Sequence, residues 1–138
     1  MAQIYVAAPF FDAAQTKRLD QVLAALQVNK SVTGVFSPRD DTNKAKLEEN
    51  SPGWQRQVFG EDIQGLHQAT TMVAILDYVG DTPDPGTAFE IGYAYAHHMP
   101  IVAVQVGKMP MNLMLAGSIT CFVQEIAELK TLDLAHVL

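Results

Sequence analysis

Five short apolar runs, separated by stretches of helical or turn character, constrain this chain more than any other feature. They cover residues 3–8, 32–37, 72–76, 101–106 and 119–123. Each has the length of a buried strand and is too short for a buried helix. Behind the first, Asp12 followed by Gln15 resembles a capping box, and Leu19, Val22, Leu23 and Leu26 keep helical spacing. Residues 54–69 read as a second helix, with Trp54, Val58, Leu66 and Ala69 on one face. A third covers 89–98 and stops at Met99-Pro100, a short one starts at 111–115, and 125–138 reads as the last. Such alternation predicts a mostly parallel α/β sheet with helices on both faces and right-handed crossovers. Five strands suit the flavodoxin-like, Rossmann-like order, whose ligand crevice lies at the carboxyl ends of the first and third strands. A chain of 138 residues is expected to form one domain, 1–138, burying about two-thirds of its unfolded surface.

Composition removes several classes of function. Hydrophobic residues make up 49% and the formal charge is -6 with no basic cluster, which argues against nucleic acid or an anionic membrane as partner. No membrane span or signal peptide is visible, so a soluble cytoplasmic protein is expected. Cys121 is the only cysteine and reads as a buried small hydrophobe. The six methionines read as core filler. No dinucleotide fingerprint or phosphate loop is present. His97 and His98 close a helix, where a cation suits the dipole, and His67 and His136 complete no ligand set. Neither a cofactor nor a metal is expected.

The carboxyl edge of the sheet is where chemistry should gather. There the third strand gives way to a loop at 77–83 rich in Asp, Gly and Pro, and then to Asp84-Pro85-Gly86-Thr87-Ala88-Phe89-Glu90-Ile91-Gly92-Tyr93. Glu90 is expected in the first turn of a helix, kept ionised by the helix dipole, and is a plausible nucleophile. An acid there can also serve only to complement the dipole. Asp62 lies four residues from both Val58 and Leu66 on an apolar stripe, a costly position unless the acid is paired, functional or at the stripe's exposed edge. The polar stretch 38–53 has the length of a functional loop. The expected topology brings Tyr5, Asp62 and Glu90 toward one crevice.

Four motifs stand out in order along the chain: Ile4-Tyr5-Val6-Ala7-Ala8-Pro9-Phe10-Phe11, Glu61-Asp62-Ile63-Gln64-Gly65-Leu66, Gly86-Thr87-Ala88-Phe89-Glu90-Ile91-Gly92-Tyr93 and Met111-Asn112-Leu113-Met114. Taken together, they resemble the nucleoside 2-deoxyribosyltransferase family, closest to its purine-preferring branch. The resemblance implies retaining two-step transfer of 2-deoxyribose between nucleobases through a covalent deoxyribosyl-Glu90 ester. Tyr5 would orient the nucleophile and Asp62 would handle the proton on the base. Asp84 with Gly86 would belong to base recognition, Phe10 would wall the ring, and Asp40 would approach the base from the second-strand loop. Asn112, near the sugar 5'-hydroxyl, and Met114 would come from a neighbouring subunit of a homo-oligomer, a hexamer assembled from dimers. Substrates would be 2'-deoxynucleosides and free nucleobases, as in nucleotide salvage. Asn112 can equally be a helix cap. Pro85 departs from the acidic residue common in the purine branch, and the long aromatic tail that closes the pocket in many members is not found by Leu138. Two alternatives therefore stand: an N-glycosidase acting on deoxynucleosides or their monophosphates, and a non-catalytic nucleotide-binding module.

Overall fold

The computed structural model describes every residue except Asp81 and Met109, which fall in the loop expected at 77–83 and the turn expected at 107–110. The elements run β1 (Ala2–Ala7), α1 (Ala13–Gln27), β2 (Val32–Phe36), α2 (Pro38–Asp41), α3 (Pro52–Gln68), β3 (Thr71–Ile75), α4 (Pro85–Ala96), β4 (Ile101–Val104), α5 (Leu113–Ser118) and β5 (Cys121–Val123). A 3-10 helix over Ile126–Lys130 follows. The sheet has the order β2-β1-β3-β4-β5 with every pairing parallel, which is the doubly wound α/β arrangement the alternation predicts.

The two-residue period of the strands divides the interior into two cores. Ile4, Val6, Val73 and Ile75 face α1, where Leu19, Val22 and Leu26 meet them. Tyr5, Ala7, Met72 and Ala74 face the other way, against Leu66 of α3 and Ile91 of α4. Register therefore delivers Tyr5 to the α3–α4 side of the sheet. At the start of α1, Asp12 accepts from the Gln15 amide at 2.8 Å, while the Gln15 carboxamide oxygen accepts from the Phe11 amide at 2.8 Å. The reciprocal bond thus secures the β1–α1 turn one residue outside the helix.

Several expected boundaries move, for local reasons. Helix α4 starts at Pro85, four residues earlier than expected, because Asp84 caps it and proline suits a first helical position. Glu90 is accordingly its sixth residue, in the second turn rather than the first. The polar stretch 38–53 contains the one-turn α2, with Pro38 in its first turn. Instead of a long helix, residues 125–138 form the 3-10 helix followed by turns. That segment is pinned from outside: Asn29 Nδ2 donates to the carbonyls of Leu129 (2.6 Å) and Leu132 (2.8 Å), and Thr71 Oγ1 donates to the Leu134 carbonyl at 2.9 Å. Satisfying those carbonyls from the body of the protein removes the need for helical partners. Cys121 is half-buried rather than buried, since β5 is an edge strand. Met72 is a core residue, but Met1 and Met114 are exposed and fill no core.

Candidate active site

Three reactive groups from three elements meet beside the switch point. Tyr5, on β1, is fully buried and donates its phenolic O–H to Glu90 Oε2. Glu90 reaches it from α4 and Asp62 lies close enough to bear on both electrostatically. The Tyr5 ring stacks on Phe36, its register partner on β2, with centroids 5.4 Å apart and planes 16° from parallel.

Burial sets the protonation states. Desolvation is the largest influence on Glu90, and with the charges of Asp62 and Asp84 it outweighs the Tyr5 hydrogen bond, pushing the carboxyl from 4.5 up to about 8. This corrects the expectation of an ionised Glu90: one turn further along the helix, the dipole has faded and burial prevails. Asp62 is raised from 3.8 to about 6, by desolvation first and the neighbouring Glu61 charge second. Its Oδ1 is buried without a hydrogen-bond partner among the described residues. The Tyr5 phenol is pushed far above its usual range by burial and then by the two carboxyls, so it remains a donor.

Around this cluster the other expected site residues divide. Asp84 is buried as the α4 cap, its Oδ2 accepting from the Thr87 amide (2.8 Å) and hydroxyl (3.1 Å). A side chain at Gly86 would begin 3.1 Å from that same oxygen, so Gly86 leaves the cap room. Phe10 stacks on Phe11 at 5.9 Å, and Phe11 meets the edge of Tyr78 at 6.0 Å, linking the β1–α1 and β3–α4 loops by an exposed aromatic run. Asp40 is drawn aside: Arg39 grips its carboxylate (3.0 and 3.1 Å) and also pairs with Asp20 of α1 at 2.7 Å. It therefore belongs to the α1 side of the sheet, opposite Glu90. Asn112 caps α5, accepting from the Met114 amide at 2.8 Å, and Leu113 and Met114 beside it are 80% and 77% exposed.

Several neighbours of the site escaped the sequence reading. Phe59 of α3 and Phe89 of α4 lie 6.3 Å apart, both more than half exposed, and a hollow of about 500 Å3 runs from Trp54 and Phe59 to Asp62. Gly65 packs against Phe36. A glycine inside a helix is a signal of close approach that the sequence offers equally at Gly60 and Gly92, which meet nothing, so Gly65 did not stand out.

The fold and this cluster define an α/β protein that gathers two carboxyls and a phenol at the ligand edge of its sheet. Residues 4–125 match the family model described as nucleoside 2-deoxyribosyltransferase, and the chain belongs to that family of transferase enzymes. It is 31% identical to a nucleoside deoxyribosyltransferase from Limosilactobacillus fermentum, over 97% of this chain and 87% of the relative. Among solved structures, the 2-deoxyribosyltransferase from Bacillus psychrosaccharolyticus superposes with a TM-score of 0.80 at 31% identity, covering 97% and 94% of the two chains. A CMP N-glycosidase from Clostridium botulinum shares the fold, with a TM-score of 0.61, 16% identity and coverage of 93% and 96%.

Proposed function

We propose that this protein exchanges the base of 2'-deoxynucleosides through a covalent deoxyribosyl-Glu90 intermediate, with purines as the preferred bases. The observation that carries this reading is the hydrogen bond from buried Tyr5 to half-buried Glu90, beside an acid whose inner oxygen has no partner among the described residues. Glu90, once ionised, attacks the anomeric carbon as the glycosidic bond to the base breaks. Tyr5 fixes which carboxylate oxygen is free to attack. Asp62, protonated, passes its proton to the departing base, so the electron pair of the broken bond leaves on a neutral base. A second base then displaces Glu90 from the sugar and returns a proton to Asp62, giving net retention.

The raised carboxyls suit these roles. Desolvation makes Glu90 a stronger nucleophile when it ionises, and a buried orphan oxygen on Asp62 is offered a partner when a base nitrogen arrives. A binding module would gain nothing from keeping Glu90 in so costly a place. Hydrolysis by an N-glycosidase is the second reading, favoured by the half-buried setting of Glu90, which leaves water a path to the ester.

Exposed Leu113 and Met114 border an apolar groove of about 560 Å3 between α4 and α5 that also includes Gly92 and Tyr95. A second copy of the chain covers this face in the proposed homo-oligomer, with Asn112 offered across the contact.

Incubating the protein with deoxyinosine, with and without free adenine, tests the reading. Deoxyadenosine formed only when adenine is added is the expected outcome. Hypoxanthine released without exchange would replace transfer by hydrolysis, and no turnover across varied deoxynucleosides would overturn both.

A further inference from the structure

Gly65 sits in the interior of α3, where glycine costs a helix roughly 1 kcal/mol relative to alanine. The structure supplies a reason for it. A Cβ built on Gly65 would lie 2.7 Å from Phe36 Cδ1, 2.8 Å from Cε1 and 2.9 Å from Cγ, distances that real Cβ atoms do not show. The same ring is stacked on Tyr5. Phe36 therefore touches both the bare backbone of α3 at Gly65 and the phenol that holds Glu90.

We propose that Phe36 and Gly65 are positioning residues for the glycosyl transfer, fixing the Tyr5 phenol on Glu90 and setting the distance at which α3 carries Asp62. The proposal rests on the reading of Tyr5, Glu90 and Asp62 as the reacting groups. Asp62 precedes Gly65 by three residues and so shares its helix face. Its Oδ1 has no hydrogen-bond partner among the described residues, so the backbone of α3 decides where that oxygen lies. Any outward step of α3 at Gly65 is passed directly to Asp62. If α3 instead holds its place, the added methyl displaces the Phe36 ring and disturbs its stack on Tyr5. Either response disturbs the cluster without touching substrate.

The test uses Gly65→Ala, Phe36→Leu and the two combined, with thermal melting to confirm folding. Gly65→Ala is expected to lower kcat on the order of tenfold to a hundredfold with KM for deoxynucleoside little changed, the usual penalty of a small misplacement of reacting groups. Phe36→Leu alone should also lower kcat, through the lost ring stack. The combined variant should be faster than Gly65→Ala, because leucine can rotate away from the new methyl. A simple packing role would lower the melting temperature without this split between kcat and KM. Independently of turnover, tyrosine labelled with 13C at Cζ reports the phenol. The Tyr5 signal, assigned with Tyr5→Phe, should move in each single variant toward its position in Glu90→Gln. Wild-type kcat in both folded single variants, a combined variant no faster than Gly65→Ala, or a Tyr5 signal unmoved in both single variants would overturn the proposal. Should Gly65→Ala fail to fold, Phe36→Leu decides by the same two readouts. An inactive wild type would sink the transferase reading alone, leaving the positioning of Tyr5 to be judged by its signal.

Discussion

Glu90 occupies a position that a chain selected only for stability would not give to an acid. Its carboxyl titrates near 8 in the fold against an ordinary 4.5, so the folded state holds a proton that the unfolded state releases. With a raised folded value, the fold is favoured most below about 4.5 and loses stability as pH climbs toward 8. That gap sets a ceiling of roughly 5 kcal/mol on the penalty, at about 1.4 kcal/mol for each pH unit. Glu90→Gln keeps an acceptor for Tyr5 and removes the titration. It should melt higher than wild type above pH 8, match it near pH 4, and lose exchange activity on the order of a thousandfold or more. Equal melting at both pH values would show that Glu90 bears no such penalty, and near-normal exchange would remove it as nucleophile. The same values predict the pH dependence of kcat/KM. Between about 6 and 8 the Asp62–Glu90 pair holds one proton, the required count, but it rests chiefly on Glu90 and must pass to Asp62 before attack. Below about 6 no nucleophile is ionised, and above about 8 no acid remains, so the profile should be a bell. Asp62→Asn should remove the basic limb and shift the remaining rise below 8, because the Asp62 charge helps hold Glu90 up. A bell that survives the substitution would assign the acid elsewhere. At this scale the sequence exposed the three groups, since an acid on an apolar stripe and a carboxyl beyond a strand are visible as residue types. It concealed the charge of Glu90, because one helical turn and the depth of burial decide that.

Between elements, the loops at the carboxyl edge are held by a side chain that carries no chemistry of its own. Asp77, just beyond β3, accepts from the amides of Val106 (2.9 Å) and Gly107 (2.7 Å), just beyond β4. The loop leading to Asp84 and the loop leading to Asn112 thus leave the sheet from one clamped point. A Cβ on Gly107 would stand 2.9 Å from Asp77 Oδ1, so the glycine is what lets the carboxylate close on both amides. Asp77→Ala should lower stability by about 1–2 kcal/mol, the loss of charge-assisted bonds to partly exposed amides. Gly107→Ala should cost a similar amount, and the pair together little more than either alone, as expected when two changes break one interaction. Additive losses in thermal melting would show that the two residues act separately. This clamp was hidden in the sequence because Asp77 and Gly107 looked like ordinary loop residues thirty positions apart. The strands themselves were legible, since continuous apolar runs flanked by Gly, Pro and Asp have few other uses. The 3-10 helix and turns after Glu125 were not, because the partners of that segment, Asn29, Ser31 and Thr71, are distant in sequence.

For the whole molecule, the question is whether one chain holds a complete site. Tyr5, Glu90 and Asp62 come together within it, but Asn112 spends its side-chain oxygen on capping α5, and no hydrogen bond joins it to those three among the described residues. Its neighbours Leu113 and Met114 stand largely in solvent, beside exposed Tyr95 on α4. An apolar face of that kind next to a polar group is well suited to burial against a copy of itself, and closed symmetric oligomers are the common outcome. A purely structural interface would leave Asn112 as a cap and nothing more. Mixing Glu90→Ala with Asn112→Ala protein, after dissociation and reassembly, separates the two cases. Each parent should be inactive if Asn112 serves substrate. Sites shared across the contact then regain activity in mixed oligomers, because some pair an intact Glu90 on one chain with an intact Asn112 on its neighbour. With random pairing about a quarter of sites are whole, so recovery should approach a quarter of the wild-type rate. An active Asn112→Ala parent would return Asn112 to the role of a cap. Two inactive parents with no recovery, in oligomers shown by mass to be mixed, would confine each site to a single chain.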